Sequence, residues 1–313
     1  MINFIACIDF KGLKEKNIYL ESKYQDQTKE DFTESYNNDF VLFKHNGSDE
    51  NLDLYIKENE KFLVFAEIFE EDRIALINKL GINENLNIKD SELMMELYLM
   101  FGAIGMQCLS NGFIFILIDL VKENVVAFRD HIGIKNICYL HSGNSIYLSS
   151  SFKNLFNVDN KNFSLNLDKV DNFLNLKDSS NTSTFINEIN KVPPSHFIEH
   201  HQDQIKVIQY SKYRQEANLA STNDQINGLK NLLKKSVNID RSSKHSKIGF
   251  TMSGGIDSST VISFFKEFKD SAHKIFSFSA QYKRLDKQIL NLIDESEYQN
   301  EINKSTDIHD TSF

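Results

Sequence analysis

This sequence of 313 residues contains few cysteines and prolines. It also has no excess of positive charge and no long apolar run. The three cysteines, Cys7, Cys108 and Cys138, are too few and too scattered for a disulfide framework or a zinc site. A net charge of −9 without a basic stripe argues against a nucleic-acid surface. The longest apolar stretch, residues 112–120, is too short to span a membrane, and the first residues lack a signal-peptide pattern. We therefore expect a cytoplasmic protein of about two domains, without nucleic-acid or membrane partners.

The first two hundred residues are rich in predicted β-strands. Short runs of aromatic and branched apolar residues predict strands at 40–43, 62–66, 112–118 and 124–128, and a hairpin over 137–148. An amphipathic helix is predicted over residues 91–101, capped by Asp90 or Ser91. The only two prolines, Pro193 and Pro194, predict an extended turn near the end of this region.

A second region follows a polar linker at residues 214–224. Apolar residues at helical spacing predict one helix over 226–237 and another over 261–268, with strands at 247–252 and 274–279. This order is typical of the start of a parallel α/β sheet with the first strand buried, and in such sheets ligands bind at the carboxyl ends of the strands. The predicted domains are residues 1–212 and 220–313.

The loop between the first predicted strand and helix of this region is Ser-Gly-Gly-Ile-Asp-Ser-Ser, residues 253–259. Its two glycines allow a sharp turn close to a ligand, and the helix that follows adds partial positive charge. Ser253, Ser258 and Ser259 can donate to phosphate oxygens, while Asp257 can hold a magnesium ion. The chain has no GxxxxGK[ST] motif, which excludes the nucleoside-triphosphatase loop that grips phosphate with lysine. The pattern indicates a phosphate-binding loop; the alternative is a serine-rich turn without a ligand.

This loop resembles the pyrophosphate-binding loop of N-type ATP pyrophosphatases, and the motif order along the chain resembles glutamine-hydrolysing asparagine synthetase. Ser195 replaces a glycine in one of these motifs. The resemblance implies an α+β N-terminal domain, an Ntn-type sandwich of β-sheets flanked by helices, followed by a partial α/β parallel-sheet ATP-pyrophosphatase domain. The matching segments are Asp90–Met94, Arg129–Lys135, Tyr147–Lys153, Ile189–His196, Met252–Ser259 and Asp294–Tyr298.

The resemblance also implies an activity, in which ATP and Mg²⁺ convert a carboxylate, here the aspartate side chain or another carboxylate, to an acyl-adenylate. Pyrophosphate is released, and ammonia or an amine then displaces AMP to form an amide. Asp257 would hold magnesium, while Met252 and Phe278 would lie beside the adenine; Phe278 as an ordinary core aromatic is an equal alternative. The implied ATP- and pyrophosphate-binding residues are Met252, Ser253, Gly254, Gly255, Asp257, Ser258, Ser259 and Phe278.

The chain departs from the family at the glutaminase positions. Ile2 stands where the family has its N-terminal cysteine nucleophile, and Cys7 is expected to be a core residue. The family's Asn-Gly-Glu-Ile-Tyr segment, which supplies the oxyanion hole, is Phe-Ala-Glu-Ile-Phe at residues 65–69. We therefore expect the first domain to be inactive as a glutaminase, and we assign no catalytic residue to it.

Several polar residues near these motifs are expected to be structural. We predict that Arg129 and Asp130 form a hairpin ion pair. The acidic pair Asp294 and Glu295 either approaches the magnesium or opens a helix. Three histidines lie in the motif regions: His131, His196 and His309. They have neither the spacing of metal ligands nor a nucleophile paired with them in the sequence.

The sequence ends at Phe313, before the family's later synthetase motifs, so the second domain is expected to be an N-terminal portion only. Three hypotheses follow. The first is an asparagine synthetase-type ligase using ammonia or an internal amine, as in β-lactam synthetases and lasso-peptide cyclases. The second is a nucleotide-binding pseudoenzyme. The third is a split half that docks onto a separate C-terminal synthetase chain; a homodimer is a further possible assembly.

Overall fold

The computed structural model divides the chain into two compact units, Met1–Arg214 and Gln215–Phe313. The functional roles that we expect for the predicted domains, residues 1–212 and 220–313, stay predictions. Phe268, Asp294 and most of the predicted linker lie outside the described residues. The structure describes residues 2–13, 34–47, 51–57, 59–83, 88–156, 158, 162–177, 180–212, 221–239, 247–267, 274–279, 286, 288–289, 295–306 and 309–312.

The first unit combines antiparallel strands with short helices. Its strands are β1 (Phe4–Asp9), β2 (Glu34–Asn37), β3 (Val41–His45), β4 (Leu52–Lys57), β5 (Glu60–Glu67), β6 (Ile114–Asp119), β7 (Asn124–Arg129), β8 (Cys138–Ser142), β9 (Ser145–Ser149), β10 (Ile189–Lys191), β11 (His196–His201) and β12 (Gln204–Gln209). Its helices are α1 (Glu70–Leu80), α2 (Asp90–Phe101), a 3₁₀ helix (Gly102–Cys108), α3 (Phe152–Leu155) and α4 (Leu167–Leu174).

These strands form two six-stranded sheets that pack face to face. The first sheet has the order β10-β8-β9-β1-β3-β2, and the second has the order β12-β11-β7-β6-β5-β4. Alternate residues of β1 and β5, among them Phe4, Ala6 and Phe65, bury their side chains in one apolar cluster between the sheets. The opposite face of β5 packs on α1 and α2, while the opposite face of β1 packs near α3. The α+β fold class predicted for the first domain is confirmed.

The strongly apolar predicted strands are confirmed as β3, β5, β6 and β7, and the predicted hairpin as β8 and β9. By contrast, β2, β4, β10, β11 and β12 were not predicted. All of these except β11 are outermost strands, and an outer strand has one edge facing solvent, so polar residues interrupt the apolar pattern.

The cap predicted for α2 is wrong. The helix begins at Asp90, and its N-cap position is Lys89, whose backbone N–H donates to the Glu92 carboxylate at 3.0 Å. Asp90 instead pairs with Arg73 of α1, at 2.5 Å between the nitrogen and the carboxylate oxygen. This ion pair ties the two helices together, a tertiary contact that a local capping rule does not include.

The second unit contains parallel strands with helices. Its elements are α5 (Thr222–Ile239), β13 (Lys247–Thr251), α6 (Ile256–Glu267), β14 (Lys274–Ser279), α7 (Ser296–Thr306) and β15 (His309–Ser312). The strand order is β13-β14-β15 with parallel pairing, which confirms the predicted parallel sheet. The expectation that β13 is buried is wrong: exposed and half-buried residues alternate along it, because it is the edge strand of the described sheet. Among the described residues, none of the helices has the length and hydropathy to cross a membrane.

Candidate functional site

The loop at residues 253–259 leaves the carboxyl end of β13 and opens α6. Its turn depends on Gly254, which has φ +88°, a conformation that residues with a side chain rarely adopt. A Cβ atom at this position would lie 3.1 Å from the Glu295 carbonyl oxygen and 3.2 Å from the Glu295 Cβ. Glycine is therefore required here both by the backbone angle and by the close approach of the chain before α7.

The hydroxyl groups of the loop converge on its own backbone. Ser253 Oγ accepts from the Gly255 backbone N–H at 3.2 Å and lies 3.2 Å from Ser258 Oγ. Ser259 Oγ donates to the Gly255 carbonyl at 2.6 Å. Ser253 and Ser258 thus lie together, whereas Ser259 supports the first turn of the helix.

Two contacts fix this loop to neighbouring elements of the same unit. The Met252 backbone N–H donates to the Phe278 carbonyl at 2.9 Å, joining the loop to β14. Gln299 of α7, which is buried, donates from Nε2 to the Ser253 carbonyl at 3.2 Å. Sequence reasoning missed Gln299, although its position one turn after Glu295, beside a predicted acidic helix start, was a usable signal. Glu295 lies directly before the first residue of α7. This is the position expected if the acidic pair opens a helix.

The remaining predicted residues differ in exposure. Asp257 is exposed in the first turn of α6, where a carboxylate can reach a cation in solvent. Met252 is buried, and Ser258 Oγ contacts its sulfur at 3.8 Å. The Phe278 side chain is 39% exposed, and its ring covers Gly249, where a Cβ would lie 2.6 Å from the ring. A ring this exposed is not an ordinary core aromatic.

A cavity of about 580 Å³ opens beside the loop, between α5, β13 and α6. Of the predicted site residues, Asp257 and Ser258 line it. The other predicted residues do not line it: Met252, Ser253, Gly254, Gly255, Ser259 and Phe278. The cavity wall is otherwise largely apolar, with Val237, Phe250 and Phe265 among its residues.

At the glutaminase positions of the first unit, apolar side chains fill the space between the sheets. Phe65 is fully buried, with its ring centroid 5.3 Å from that of Phe4 and 5.0 Å from that of Phe43. Ile2 packs against the same cluster, and Ala66 is fully buried on the opposite face of β5. No side-chain hydrogen-bond donor is therefore present at residues 65 and 66, because phenylalanine and alanine have none.

The predicted Arg129–Asp130 ion pair is wrong. Arg129 instead donates to three backbone carbonyls, at Lys135, Val192 and Gly133, over 2.7 to 3.1 Å. Asp130, fully buried, accepts from the backbone N–H groups of residues 132–135 at 2.7 to 3.2 Å. Burial lowers the pKa of Arg129, and the charge of Asp130 opposes that shift. Both side chains thus order the loop after β7 through its backbone.

Two family models match the chain in sequence order. The model for a glutamine amidotransferase domain matches residues 67–213, and the model for asparagine synthase matches residues 228–312. Together these two matches make the chain similar to asparagine synthetases in both parts of its sequence. It is 26% identical over 220 residues to the protein named "Putative asparagine synthetase (glutamine-hydrolyzing) 2" of Methanocaldococcus jannaschii. That match covers 66% of this chain and 42% of the relative, so the asparagine synthetase-like chain spans less than half the length of that relative.

Two solved structures show a weaker likeness. One is glutamine phosphoribosylpyrophosphate amidotransferase from B. subtilis in complex with ADP and GMP, at 10% identity, with TM-score 0.46, covering 85% of this chain and 63% of that chain. The other is the allosteric regulatory enzyme of purine biosynthesis, at 10% identity, with TM-score 0.44, covering 99% of this chain and 74% of that chain.

Proposed function

We propose that the second unit binds ATP with Mg²⁺ at residues 252–259 and takes part in forming an amide from a carboxylate. The carboxylate, for which the aspartate side chain is our first candidate, would be activated as an acyl-adenylate with loss of pyrophosphate. Ammonia or an amine would then displace AMP. The observation that carries this proposal is the position of the loop, at the carboxyl end of a parallel strand and at the start of a helix.

The loop residues fit such a ligand. Gly254 lets the turn pass close to Glu295, and the hydroxyls of Ser253 and Ser258 lie together beside it. Backbone N–H groups at the start of α6 favour negative charge, so they would orient the leaving phosphates. When bound, ATP supplies the adenylyl group and magnesium withdraws charge from the phosphates; exposed Asp257 is the residue that would hold the metal.

The same proposal assigns no glutamine hydrolysis to the first unit. An oxyanion requires hydrogen-bond donors, and the aromatic ring of Phe65 occupies the space between the sheets at the segment where the family has its asparagine. Ammonia or another amine would therefore come from solution, from the substrate or from a partner. Release of glutamate from glutamine by the purified chain would overturn this assignment.

A direct test measures pyrophosphate release by the full chain with ATP, Mg²⁺ and aspartate, with and without ammonium, beside calorimetric titration of ATP. Asp257→Asn is expected to weaken Mg²⁺-dependent ATP binding by about tenfold or more, since it removes a charged metal contact. Asp224→Asn is the matched control, because Asp224 also lies in the first turn of an exposed helix. Equal ATP affinity in the two variants would refute the site.

The result also separates the alternatives. Pyrophosphate release that depends on the carboxylate supports the ligase. ATP binding without release supports the nucleotide-binding pseudoenzyme or the split half that requires a separate synthetase chain. Release restored by adding the partner chain identifies the split half.

A further inference from the structure

We propose that His141, His200 and Asp203 of the first unit form a binding site for a divalent first-row transition-metal ion, with Zn²⁺ as the best match. Each residue offers one ligand atom, and these atoms lie within 4.8 Å of one another. Neither the family resemblance nor the proposed ATP site involves these residues.

The site joins the two sheets. His141 lies on β8 of the first sheet and His200 on β11 of the second. Their cross-strand partners, Ile146 and Val125, belong to the apolar cluster between the sheets. Since directly opposed residues in an antiparallel pair share a face, both imidazoles face the interior of the sandwich.

Asp203 completes the set from the turn between β11 and β12. This turn has positive φ at Gln202 and at Asp203, 48° and 59°, which brings its backbone tightly around the end of the hairpin. The carboxylate is exposed, so the site has an opening to solvent on this side.

The buried imidazole nitrogens carry the strongest evidence for a ligand. His200 is 2% exposed, yet neither Nδ1 nor Nε2 has a hydrogen-bond partner, and the same holds for buried Nε2 of His141. A buried polar atom without a partner destabilises the fold, because it has lost its hydrogen bonds to water. The two rings meet edge to face, with centroids 5.4 Å apart. A bound cation would satisfy one nitrogen of each ring and would offset part of this cost.

The donor set favours a particular class of ion. Two neutral imidazoles and one carboxylate suit Zn²⁺ or a similar ion, whereas Mg²⁺ prefers oxygen ligands. With three protein ligands, a fourth position remains for water. Ligands about 2.0–2.1 Å from a tetrahedral ion lie about 3.3 Å apart, so the three side chains need a small contraction around the metal.

Lys11 is the one competitor that contacts the cluster among the described residues. Its Nζ lies 3.7 Å from Asp203 Oδ2 and donates to Asn144 Oδ1 at 2.7 Å. The Lys11 side chain is 68% exposed, so the ammonium group can move into solvent when a cation binds. In the structure, the Lys11 ammonium group places one positive charge near Asp203, and a bound divalent ion would place two there.

The proposal is tested on the full chain after treatment with a chelator, by calorimetric titration of Zn²⁺ and by the absorption spectrum of bound Co²⁺. We expect one tight ion per chain, a rise in Tm, and affinity lowered at least about tenfold in His141→Gln and in Asp203→Asn. Asn tolerates the left-handed conformation of residue 203, so Asp203→Asn keeps the turn and a failure to fold is not expected. Lys11→Gln should bind Zn²⁺ more tightly than the parent.

His201→Gln provides the matched control, because His201 is the next residue along β11 and lies outside the cluster. It should retain the ion, the Co²⁺ spectrum and the rise in Tm. Zn²⁺ affinity that is unchanged in Asp203→Asn and in His141→Gln would overturn the proposal, and so would an equal loss in His201→Gln. Absence of binding to the parent chain would overturn it as well.

Discussion

β1 and β13 are the first strands of their units, but β1 lies inside its sheet and β13 lies at a sheet edge. All six residues of β1 are buried, shared between the cluster that separates the sheets and the cluster beneath α3. Along β13, exposed and half-buried residues alternate, and the strand ends in a polar loop with exposed Ser253 and Asp257. In the first unit, β1 is fully occupied by packing contacts. In the second unit, hydrogen-bonding groups at the end of β13 remain accessible to solvent.

The cores show the same contrast. Three apolar clusters of described residues pack around the two sheets of the first unit, while one small cluster, built on Met252, Ile262, Phe265 and Ile275, supports the described part of the second. A binding site needs an open surface, and an open surface leaves fewer apolar contacts. We therefore expect the second unit to be the less stable of the two and the one that responds to nucleotide.

The largest expected effect tests this contrast directly with two matched substitutions. Phe65→Ala removes a fully buried ring from the centre of the sandwich and should lower the free energy of unfolding by about 3–5 kcal/mol. Phe265→Ala should cost less, below about 3 kcal/mol, because Phe265 lines the cavity and the space left by its ring is continuous with it. Urea unfolding followed by hydrogen exchange of peptides from each unit measures both values. An equal or larger loss for Phe265→Ala would break the comparison.

An intermediate effect comes from pH. Burial, and then the neighbouring His141, lower the pKa of His200 to about 4 from the ordinary value of 6.5. Between these values the unfolded chain binds a proton that the folded chain excludes. The contribution of neutral His200 is therefore present above pH 6.5 and is lost as the pH falls toward 4, by at most about 1.4 kcal/mol per pH unit.

This pH effect should be confined to the first unit. It is measured in the presence of a chelator, by urea unfolding of the parent and of His200→Gln at several pH values. The variant should show a shallower decline over pH 6.5 to 4, while exchange in the second unit follows the same pH dependence in both proteins. Parallel declines in the two proteins would contradict the assignment to His200.

The smallest expected effect compares two turns that contain a residue with positive φ, one at Ser195 in the first unit and one at Gly254 in the second. Ser195 has φ +63° and donates from Oγ to the His131 carbonyl at 2.8 Å, in the turn where the family has glycine. Ser195→Gly relieves the backbone strain but loses that hydrogen bond, so stability should change by less than about 1 kcal/mol. Ser195→Ala keeps the strain and loses the bond, so it should be the less stable variant of the two.

Gly254 is the counterpart in the second unit. In Gly254→Ala, the new methyl group would be held at an unfavourable φ and would press against the Glu295 carbonyl, and no hydrogen bond would be gained. The variant should therefore be less stable and should bind ATP more weakly. Calorimetry with ATP separates the cases: Ser195 variants should bind as the parent does. Loss of ATP affinity on changing Ser195 would show that the contrast between the turns does not hold.

The local sequence pattern was enough to predict several of the helices and strands and the position of the loop at residues 253–259. The apolar runs of β5, β6 and β7 are unambiguous because both of their faces are buried, and the two glycines and the serines of residues 253–259 sit between a strand and a helix as their order predicts. The site residues themselves stay predictions, since binding is a property of the loop with its ligand.

Three errors share one cause. Asp90 was expected to cap its own helix, Arg129 and Asp130 to pair with each other, and β13 to be buried. Each expectation used sequence neighbours alone. In the structure, Asp90 pairs with Arg73 of α1, Arg129 donates to backbone carbonyls that include distant Val192, and β13 lies at a sheet edge; rules for adjacent side chains include none of these.

The sequence by itself determined several of the helices and strands, the motif order and the chemistry available at residues 253–259, because these depend on periodicity and on residue type over short spans. The fold class was predicted from the resemblance of the motifs to a known family. Only the tertiary structure decided what long-range pairing brings together. It placed Phe65 against Phe4 and Phe43, and it set His141 of one sheet beside His200 and Asp203 of the other. Sheet register fixes which residues share a face, and no local pattern specifies the register between distant strands.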